Sequence, residues 1–430
     1  MATASILDFQ EKIVEDDSIK SYEYNAYYPT SGSNLNMPGR IAINIENQDE
    51  FYHPRRSWLL VEGDLLKAND TRYVNNDVIA LVNNAIMFLF ANLKYELGGQ
   101  EIESLNHPGH ATTLLGLAKH AYEYRQGAGL IQCWCADTSE GAANTNYGFN
   151  ARKTFIIEKP NNKGSFQFAI PLEDMFGFCE DYDKIVYGMR HTLTLIRGGD
   201  DDAIFKANGV DAGKVKLSKI SWMMPRVHPS DAKKFALYKN IESKIVIDVG
   251  FRMRQCNMIQ IARGSTSMDW RLGVRTAPEK PRHILIGLQS QKTGQQTRNP
   301  AVFDEVNTTK MKIVMNDTEY PLRDINADFD NNHYAEFYSM FMNFSQNYYG
   351  IDPLINKSVI TPIAYKDLFP LFYFDVSKQS ERVNQSVVDV TVKMQFSAAV
   401  GNNEVFAYAL VISDRRLKFQ SDGKKMTVLY

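Results

Sequence analysis

One strand pattern is written twice in this chain, about 220 residues apart and in the same order, and that repeat limits the possible folds more than any other feature. Leu93-Lys94-Tyr95-Glu96-Leu97, followed by Gly98-Gly99-Gln100-Glu101-Ile102, aligns without a gap on Met311-Lys312-Ile313-Val314-Met315 followed by Asn316-Asp317-Thr318-Glu319-Tyr320, an offset of 218. Leu59-Leu60-Val61 matches Ile284-Leu285-Ile286 at an offset of 225. Asp174-Met175-Phe176 matches Asp367-Leu368-Phe369 at 193, and Leu193-Thr194-Leu195 matches Val390-Thr391-Val392 at 197. A repeat this long is a duplicated domain, not a solenoid unit. Asp174, Phe176, Asp367 and Phe369 are expected to be repeated structural anchors that pack and turn, with no ligand implied.

At 430 residues the chain exceeds one ordinary core, and the repeat favours two domains. Hydrophobic residues make up 44% and aromatics 12%, so each half can bury a core and disorder is not expected. The net charge of −2 supplies no global field for nucleic acid or anionic membrane, so direct sequence-specific nucleic-acid binding is not expected. The basic pairs Arg55-Arg56, Arg415-Arg416 and Lys424-Lys425 read as solvated strand ends. Four cysteines cannot build a disulfide framework. Cys133 and Cys135, flanking Trp134, would share one face of a strand as buried reduced thiols.

Met1 to Ser18 carries Glu11, Glu15, Asp16 and Asp17 and has no apolar core, so it does not read as a secretory signal and synthesis in the cytoplasm is expected. Asn-X-Ser/Thr triplets at Asn307, Asn316, Asn343 and Asn384 then read as by-products of an Asn-rich composition. The longest apolar stretch, residues 85–91, is far short of the roughly 20 residues a membrane span needs.

Residues 1–20 read as an acidic arm. From Tyr22 onward the pattern is β: Arg40 to Glu46 alternates polar and apolar, and Ser57 to Leu66 is a stronger run. Leu93 to Ile102 is the clearest hairpin, because Gly98-Gly99 supplies the positive φ angles of a primed two-residue turn. Asn316-Asp317 sits at the same point of the second copy. Long connections follow each hairpin, about 103–170 and 321–366, and loops of this length are usually functional. Within the second, Tyr334, Phe337, Tyr338 and Phe341 fit a helical stripe, read as a helix packed on the sheet. Pro225, Pro229 and a candidate N-cap at Ser230 precede a helix-forming run, which places a linker helix at 225–243 between domains at 21–224 and 244–430.

No constellation for chemistry stands out, and no catalytic, cofactor-binding or metal residues are expected. Gly209 to Lys214 has three residues between its glycines where a phosphate loop needs four, and lacks the Ser/Thr. Asn106-His107-Pro108-Gly109-His110 reads as a loop with no carboxylate motif beside it. Asp200-Asp201-Asp202 reads as a solvated loop, since three consecutive acids do not readily face one ion. Seven to nine short strands per half, with no alternating helices, point to an all-β protein: two tandem antiparallel eight-stranded jelly rolls joined by a short helical linker.

Ser57-Trp-Leu-Leu-Val-Glu-Gly-Asp-Leu-Leu66, the hairpin Leu93 to Glu103 and Pro171 to Gly188 resemble the first jelly roll of double jelly-roll major capsid proteins. These belong to the adenovirus, polinton and large-DNA-virus lineage, and the closest likeness is to polinton-like or adintovirus-like proteins of viral or endogenous origin. Asp367 to Arg382 and Ala407 to Leu417 resemble the matching parts of the second roll. The resemblance implies a homotrimer whose six rolls form a pseudo-hexagonal capsomer of an icosahedral shell, with penton and minor capsid proteins as further partners. It also implies a place in the virion, assembled in cytoplasm or nucleus. Two unequal sandwiches per chain and three chains per tile give six near-equivalent faces. The 103–170 and 321–366 inserts are then expected to form the tower and the contacts between subunits, which their aromatic content suits. The alternatives are a domesticated trimer that binds a glycan or protein, and a cupin-like enzyme, which would need a His-X-His pair that is absent.

Overall fold

The computed structural model describes residues 16–30, 32–143, 145–273, 279–351, 360–378 and 388–429. Most of the acidic arm (1–15), Asn384 and residues 379–382 of the second resembling segment lie outside the described residues. Strands β1 (Ile19–Tyr27), β2 (Gly39–Ile45), β3 (Trp58–Lys67), β4 (Phe90–Leu97), β5 (Gln100–Asn106), β6 (Ser165–Pro171), β7 (His191–Arg197) and β8 (Gly213–Pro229) build the first unit. Its main sheets run β1-β8-β3-β6, with the short strands Phe51–Tyr52 and Val186–Tyr187 added beside β8, and β2-β7-β4-β5. Strands β9 (Val246–Ile261), β10 (Ser267–Arg271), β11 (Lys280–Ser290), β12 (Thr308–Met315), β13 (Thr318–Tyr320), β14 (Phe372–Asp375), β15 (Val390–Phe396) and β16 (Val405–Ser421) build the second. There the sheets run β9-β16-β11-β14 and β10-β15-β12-β13, the same order, so each half is an antiparallel eight-stranded jelly roll.

Period-two burial sets the faces. In β2, Ile41, Ile43 and Ile45 are buried while Ala42 and Asn44 are not, and in β15 Val390, Val392, Met394 and Phe396 turn inward. The hairpin turns fall where the repeat puts them. Gly98 and Gly99 take φ of 58° and 84°, whereas the second turn has a positive φ at Asn316 (52°). Asn316 instead exchanges two 2.9 Å hydrogen bonds with the backbone of Asp389. Leu97 lies opposite His191 and Met315 opposite Val390, so Leu193 answers structurally to Val392, two residues from the sequence match. A shift of two preserves the inward face, which is why the pattern hides it.

The triplet at 174–176 is not the structural counterpart of 367–369. The first follows strand β6, which ends at Pro171, whereas the second precedes strand β14, which begins at Phe372. The expected boundary at 224 also moves: β8 continues to Pro229, because β1 zips onto it with Tyr24 opposite Pro225 and Ile19 opposite Pro229.

Helices occupy the connections: α1 (Pro108–Lys119), α2 (Tyr147–Ile156), α3 (Leu172–Met175), α4 (Gly177–Asp181), α5 (Asp231–Glu242), α6 (Ala335–Met342), α7 (Phe344–Tyr349) and α8 (Pro362–Asp367). The expected loop at 106–110 is the start of α1, with His107 at φ 47° and Pro108 in the first turn, where its fixed φ suits a helix. Helix α5 falls within the segment expected as a linker at 225–243, following β8 and preceding β9 in chain order. The expected aromatic helix is α6, which buries Phe337 and Phe341 and sets the Phe337 ring edge-on to Phe372 in β14, 5.0 Å between centroids. No helix among the described residues is long and apolar enough to cross a membrane.

The two cores are cross-stitched. Strands β9 and β16, 16 and 17 residues long, pair from Val246↔Gln420 to Ile261↔Val405. At about 3.3 Å per residue each spans roughly 50 Å, enough to serve two cores. Val249, Phe251, Met253, Leu417 and Phe419 join the first-half core, while Cys256, Ile261 and residues 407–412 join the second. In return α1 sends Ala111, Leu114, Leu115 and Leu117 into the second-half core. A Cβ on Gly287 of β11 would lie 3.0 Å from Leu114 and 2.4 Å from Phe303, so the helix reaches the sheet only over a glycine.

This exchange makes the two rolls one cooperative unit. Leu114→Ala is expected to cost about 2–5 kcal/mol, as for other large-to-small core changes. Denaturant unfolding followed by fluorescence and by circular dichroism should give one coincident transition shifted to lower denaturant. Separate transitions would show that the rolls unfold independently.

Candidate functional site

The densest polar chemistry among the described residues lies where β9 meets the first roll. Backbone amides alternate in direction along a strand, so every second amide of an edge strand needs a partner outside its sheet. Two carboxylates from the first half meet that need: Arg252 N donates to Asp181 Oδ2 at 2.8 Å and Arg254 N to Glu103 Oε1 at 2.8 Å. Glu103 also accepts the amides of Gly177 (3.1 Å) and Phe178 (3.0 Å) that open α4. Gly177 is required here, because a Cβ would stand 1.7 Å from the Arg252 carbonyl oxygen.

Above this seam the Arg254 side chain is 1% exposed and its Nη2 meets Glu180 Oε2 at 2.6 Å. It also donates to the carbonyls of Asp174 (2.8 Å) and Glu173 (3.1 Å), which ties β9 to α3. Glu180 collects the hydroxyls of Tyr348 (2.8 Å) and Tyr349 (2.7 Å) from α7 in the second half. Lys119, at the end of α1, reaches Asp174 Oδ1 at 2.7 Å and Glu180 Oε1 at 3.4 Å. Arg252 grips Asp181, 2.9 Å from Nε to Oδ2, and stacks 3.8 Å from the Tyr348 ring centre.

Burial pulls the Glu180 carboxyl upward, but Arg254, Lys119 and the tyrosine hydroxyls outweigh it and hold the group well below the usual carboxylate range. Burial pushes Glu103 up to about 7, against Arg254 and three backbone amides. The arrangement neutralises charge and satisfies backbone, which makes it a joint. Among the described residues no group of three or more His, Cys, Asp or Glu is placed to hold a metal.

Two further stitches cross the same junction. Asp201 Oδ1 accepts Gln296 Nε2 at 2.8 Å and Asp202 Oδ1 accepts Gly294 N at 2.6 Å, while Asp200 binds Arg197 and the Val215 amide. The acidic run expected to be solvated is therefore a clasp between the halves. In α2, Arg152 pairs with Asp137 at 2.8 Å with both side chains at most 1% exposed, and Asp137 Oδ2 accepts Asn299 Nδ2 at 2.9 Å. Arg415, expected at a solvated strand end, is buried and reaches Met253 Sδ (3.0 Å) and Glu279 (3.4 Å).

Of the four expected anchors, Asp174 belongs to this joint, and Phe176 is buried 5.9 Å from the Tyr95 ring in the first core. Phe369 is buried in the second core, but Asp367 is exposed on the rim of an open cleft of about 910 Å³ with Arg125, Glu140, Glu305 and Lys366. The structure thus separates the two aspartates. Cys133 and Cys135 are free and buried as expected, but they do not lie on a strand: Cys133 turns into the first core and Trp134 into the second. The 103–170 insert, expected to project between subunits, spends α1 as a wedge with ten of twelve residues buried. The joint residues Glu103, Glu180, Arg252 and Arg254 were missed. Their signal was charge at inward-facing positions, as in Arg252-Met253-Arg254 within an apolar strand, since charges are rarely buried unless paired.

Removing one member of a buried pair leaves the other charge stranded, so Glu180→Gln and Arg254→Met are each expected to cost about 3–5 kcal/mol by denaturant titration. Burial also lowers His110 and His191 to about 3 and His120 and His283 to about 4, from 6.5. Lowered folded pKa values favour the neutral rings, so this stability is present above pH 6.5 and is lost as pH falls through that window. At about 1.4 kcal/mol per unit, each fully buried ring gives up roughly 2 kcal/mol by pH 5. Glu103 acts oppositely, its contribution being fully present below 4.5 and lost as pH rises through about 7. The histidines outnumber it, so the melting temperature should be lower at pH 5 than at pH 7.5, with a smaller drop in His191→Asn.

With this geometry in view, known proteins give a consistent match. The sequence pattern of the Double jelly roll-like domain matches residues 134–417, well over half of the chain. No sequence among curated proteins matches it. Among solved structures, a chain of the Sputnik virophage cryo-EM structure superposes with a TM-score of 0.62 at 11% identity, over 98% of this chain and 91% of its own. The mavirus major capsid protein gives 0.54 at 11% identity, covering 98% and 93%. VP54 of the virus PBCV-1 gives 0.54 at 10%, covering 98% and 99%. Two eight-stranded rolls in one chain, in matching strand order and covered by that sequence pattern, establish the identity at family level: this chain belongs to the double jelly roll-like domain family.

Proposed function

We propose that this protein is a structural major capsid protein that forms homotrimers, each a pseudo-hexagonal tile of an icosahedral shell. The observation that carries this reading is the joining of two like rolls into one body, with end-to-end similarity in fold to the mavirus major capsid protein and to chains of the Sputnik virophage and PBCV-1. A tile with six near-equivalent sides needs two rolls held at a constant relation, and the buried Arg254–Glu180 joint and the α1 wedge hold them so.

The trimer contacts fall to what the inserts leave outside. Ile131, Tyr147 and Phe155 of the first insert and Leu322 and Ile363 of the second are exposed apolar residues of the kind an interface covers. Penton and minor capsid proteins complete the shell, and the protein is made in the cytoplasm before it enters the virion.

Light scattering coupled to size-exclusion chromatography should return three times the chain mass, and negative-stain images should show hexagonal particles. Ile363→Asp combined with Ile131→Asp should shift the protein toward monomer without lowering its melting temperature. A wild-type chain that stays monomeric at micromolar concentration contradicts the shell role.

A further inference from the structure

The acidic clasp at 200–202 borders an open cavity of about 330 Å³ to which both halves contribute. Phe88, Phe90 and the start of α1 come from the first half, and Phe406 and Tyr408 of β16 from the second. A cavity of this size between two domains, walled by aromatic rings and holding a few polar groups, has the usual form of a small-ligand site. Packing sets the walls in advance. His110 stacks on Tyr408 with ring centres 3.7 Å apart and planes 7° from parallel, and Phe88 meets His110 edge-on at 5.0 Å.

The polar groups of the lining are chiefly acceptors. Gln289 Nε2 donates to the carbonyls of Pro300 (2.6 Å) and Val302 (2.9 Å), which fixes its amide, so Gln289 Oε1 faces His110 Nε2 at 3.1 Å as an acceptor. His110 Nε2 must then carry the ring proton, and Nδ1 presents a lone pair. His110 is 5% exposed, and its Nδ1 has no hydrogen-bond partner among the described residues. Burial keeps this ring and that of His107 neutral. Asp201 and Asp202 each spend one oxygen on the clasp, and among the described residues neither meets a lysine or arginine. Burial, with Asp201 beside it, pushes the Asp202 carboxyl up, as expected of a carboxylate short of cations. The hydroxyls of Thr293 and Tyr408 lie 3.4 Å from each other. Lysine and arginine are absent from the lining, so its charge is that of the two aspartates. Acceptors, negative charge and aromatic faces together complement a cation that donates hydrogen bonds. An ammonium group has three donors and no acceptor, and aromatic faces attract it.

We propose that this cavity binds a primary ammonium group on a short apolar stem, with the charge toward Asp201 and Asp202, His110 Nδ1 as a further acceptor, and the stem against Phe88, Phe90 and Phe406. Free alkylamines and lysine side chains share this chemistry. The bound cation neutralises carboxylates that the clasp otherwise holds unpaired at the seam of the two halves. This goes beyond the shell reading and does not depend on it, because the site lies within one chain.

Titration calorimetry on the full chain at neutral pH tests the proposal, with n-pentylamine as the probe and hexanoate as an anion of similar size. Pentylamine should bind at one site per chain, and hexanoate should give no heat of binding. Asp201→Asn/Asp202→Asn keeps acceptor oxygens for Gln296 and Gly294, and should weaken pentylamine roughly tenfold, about 1.4 kcal/mol. Phe406→Ala, which leaves the clasp carboxylates in place, should weaken it as well and answers the question if the paired variant does not fold. Absence of pentylamine binding at millimolar concentration, equal binding of hexanoate, or unchanged affinity in Phe406→Ala overturns the proposal. Nα-acetyl-lysine amide separates the two sources: binding as tight as that of pentylamine supports a lysine side chain of a neighbouring polypeptide as the occupant, and binding of pentylamine alone supports a free amine. The oligomeric state of the same samples reports on the shell reading separately.

Discussion

The edge of strand β9 is the constraint on which the rest of this structure depends. A sixteen-residue edge strand, paired with β16 along its whole length, runs beneath the first roll with outward-facing backbone amides that have no strand beside them, and such groups are costly to bury unpaired. Glu103 and Asp181 answer that need with carboxylates, and carboxylates buried there demand cations. Arg252 and Arg254 supply them from the same strand, and Glu180 balances the second arginine. Each element of the joint exists because another would otherwise be stranded, so the set persists or fails together.

The apolar exchange and the ionic joint serve different ends. Sending α1 into the second core and β9 and β16 into the first supplies non-directional burial, which favours association without selecting one angle. The bidentate Arg252–Asp181 contact and the fit of Gly177 under the Arg252 carbonyl are directional, and they select a single relation between the rolls.

Much of the fold was legible in the amino-acid order because jelly-roll strands obey a period of two. Ile41, Ile43 and Ile45 and the Gly98-Gly99 turn announce themselves locally. The linker helix and the aromatic helix α6 were legible for the same reason, as composition and spacing within a dozen residues. The match of Asp174 with Asp367 failed because three-residue similarity carries no information on which side of a strand the triplet lies. The acidic run at 200–202 was misread because its partners, Gln296 and Gly294, are more than 90 residues away.

By itself, the sequence determined the duplication, the β character of both halves and the hairpin turns, since these follow from local periodicity and backbone preference. Only the tertiary structure decided that the rolls are cross-stitched, that α1 is a wedge and not a tower, and that Arg254, Glu180 and Glu103 form its joint. The physical reason is range: alternation and turn chemistry act over a few residues. The pairing of buried charges with distant amides depends on where whole strands end up, and no local pattern records it.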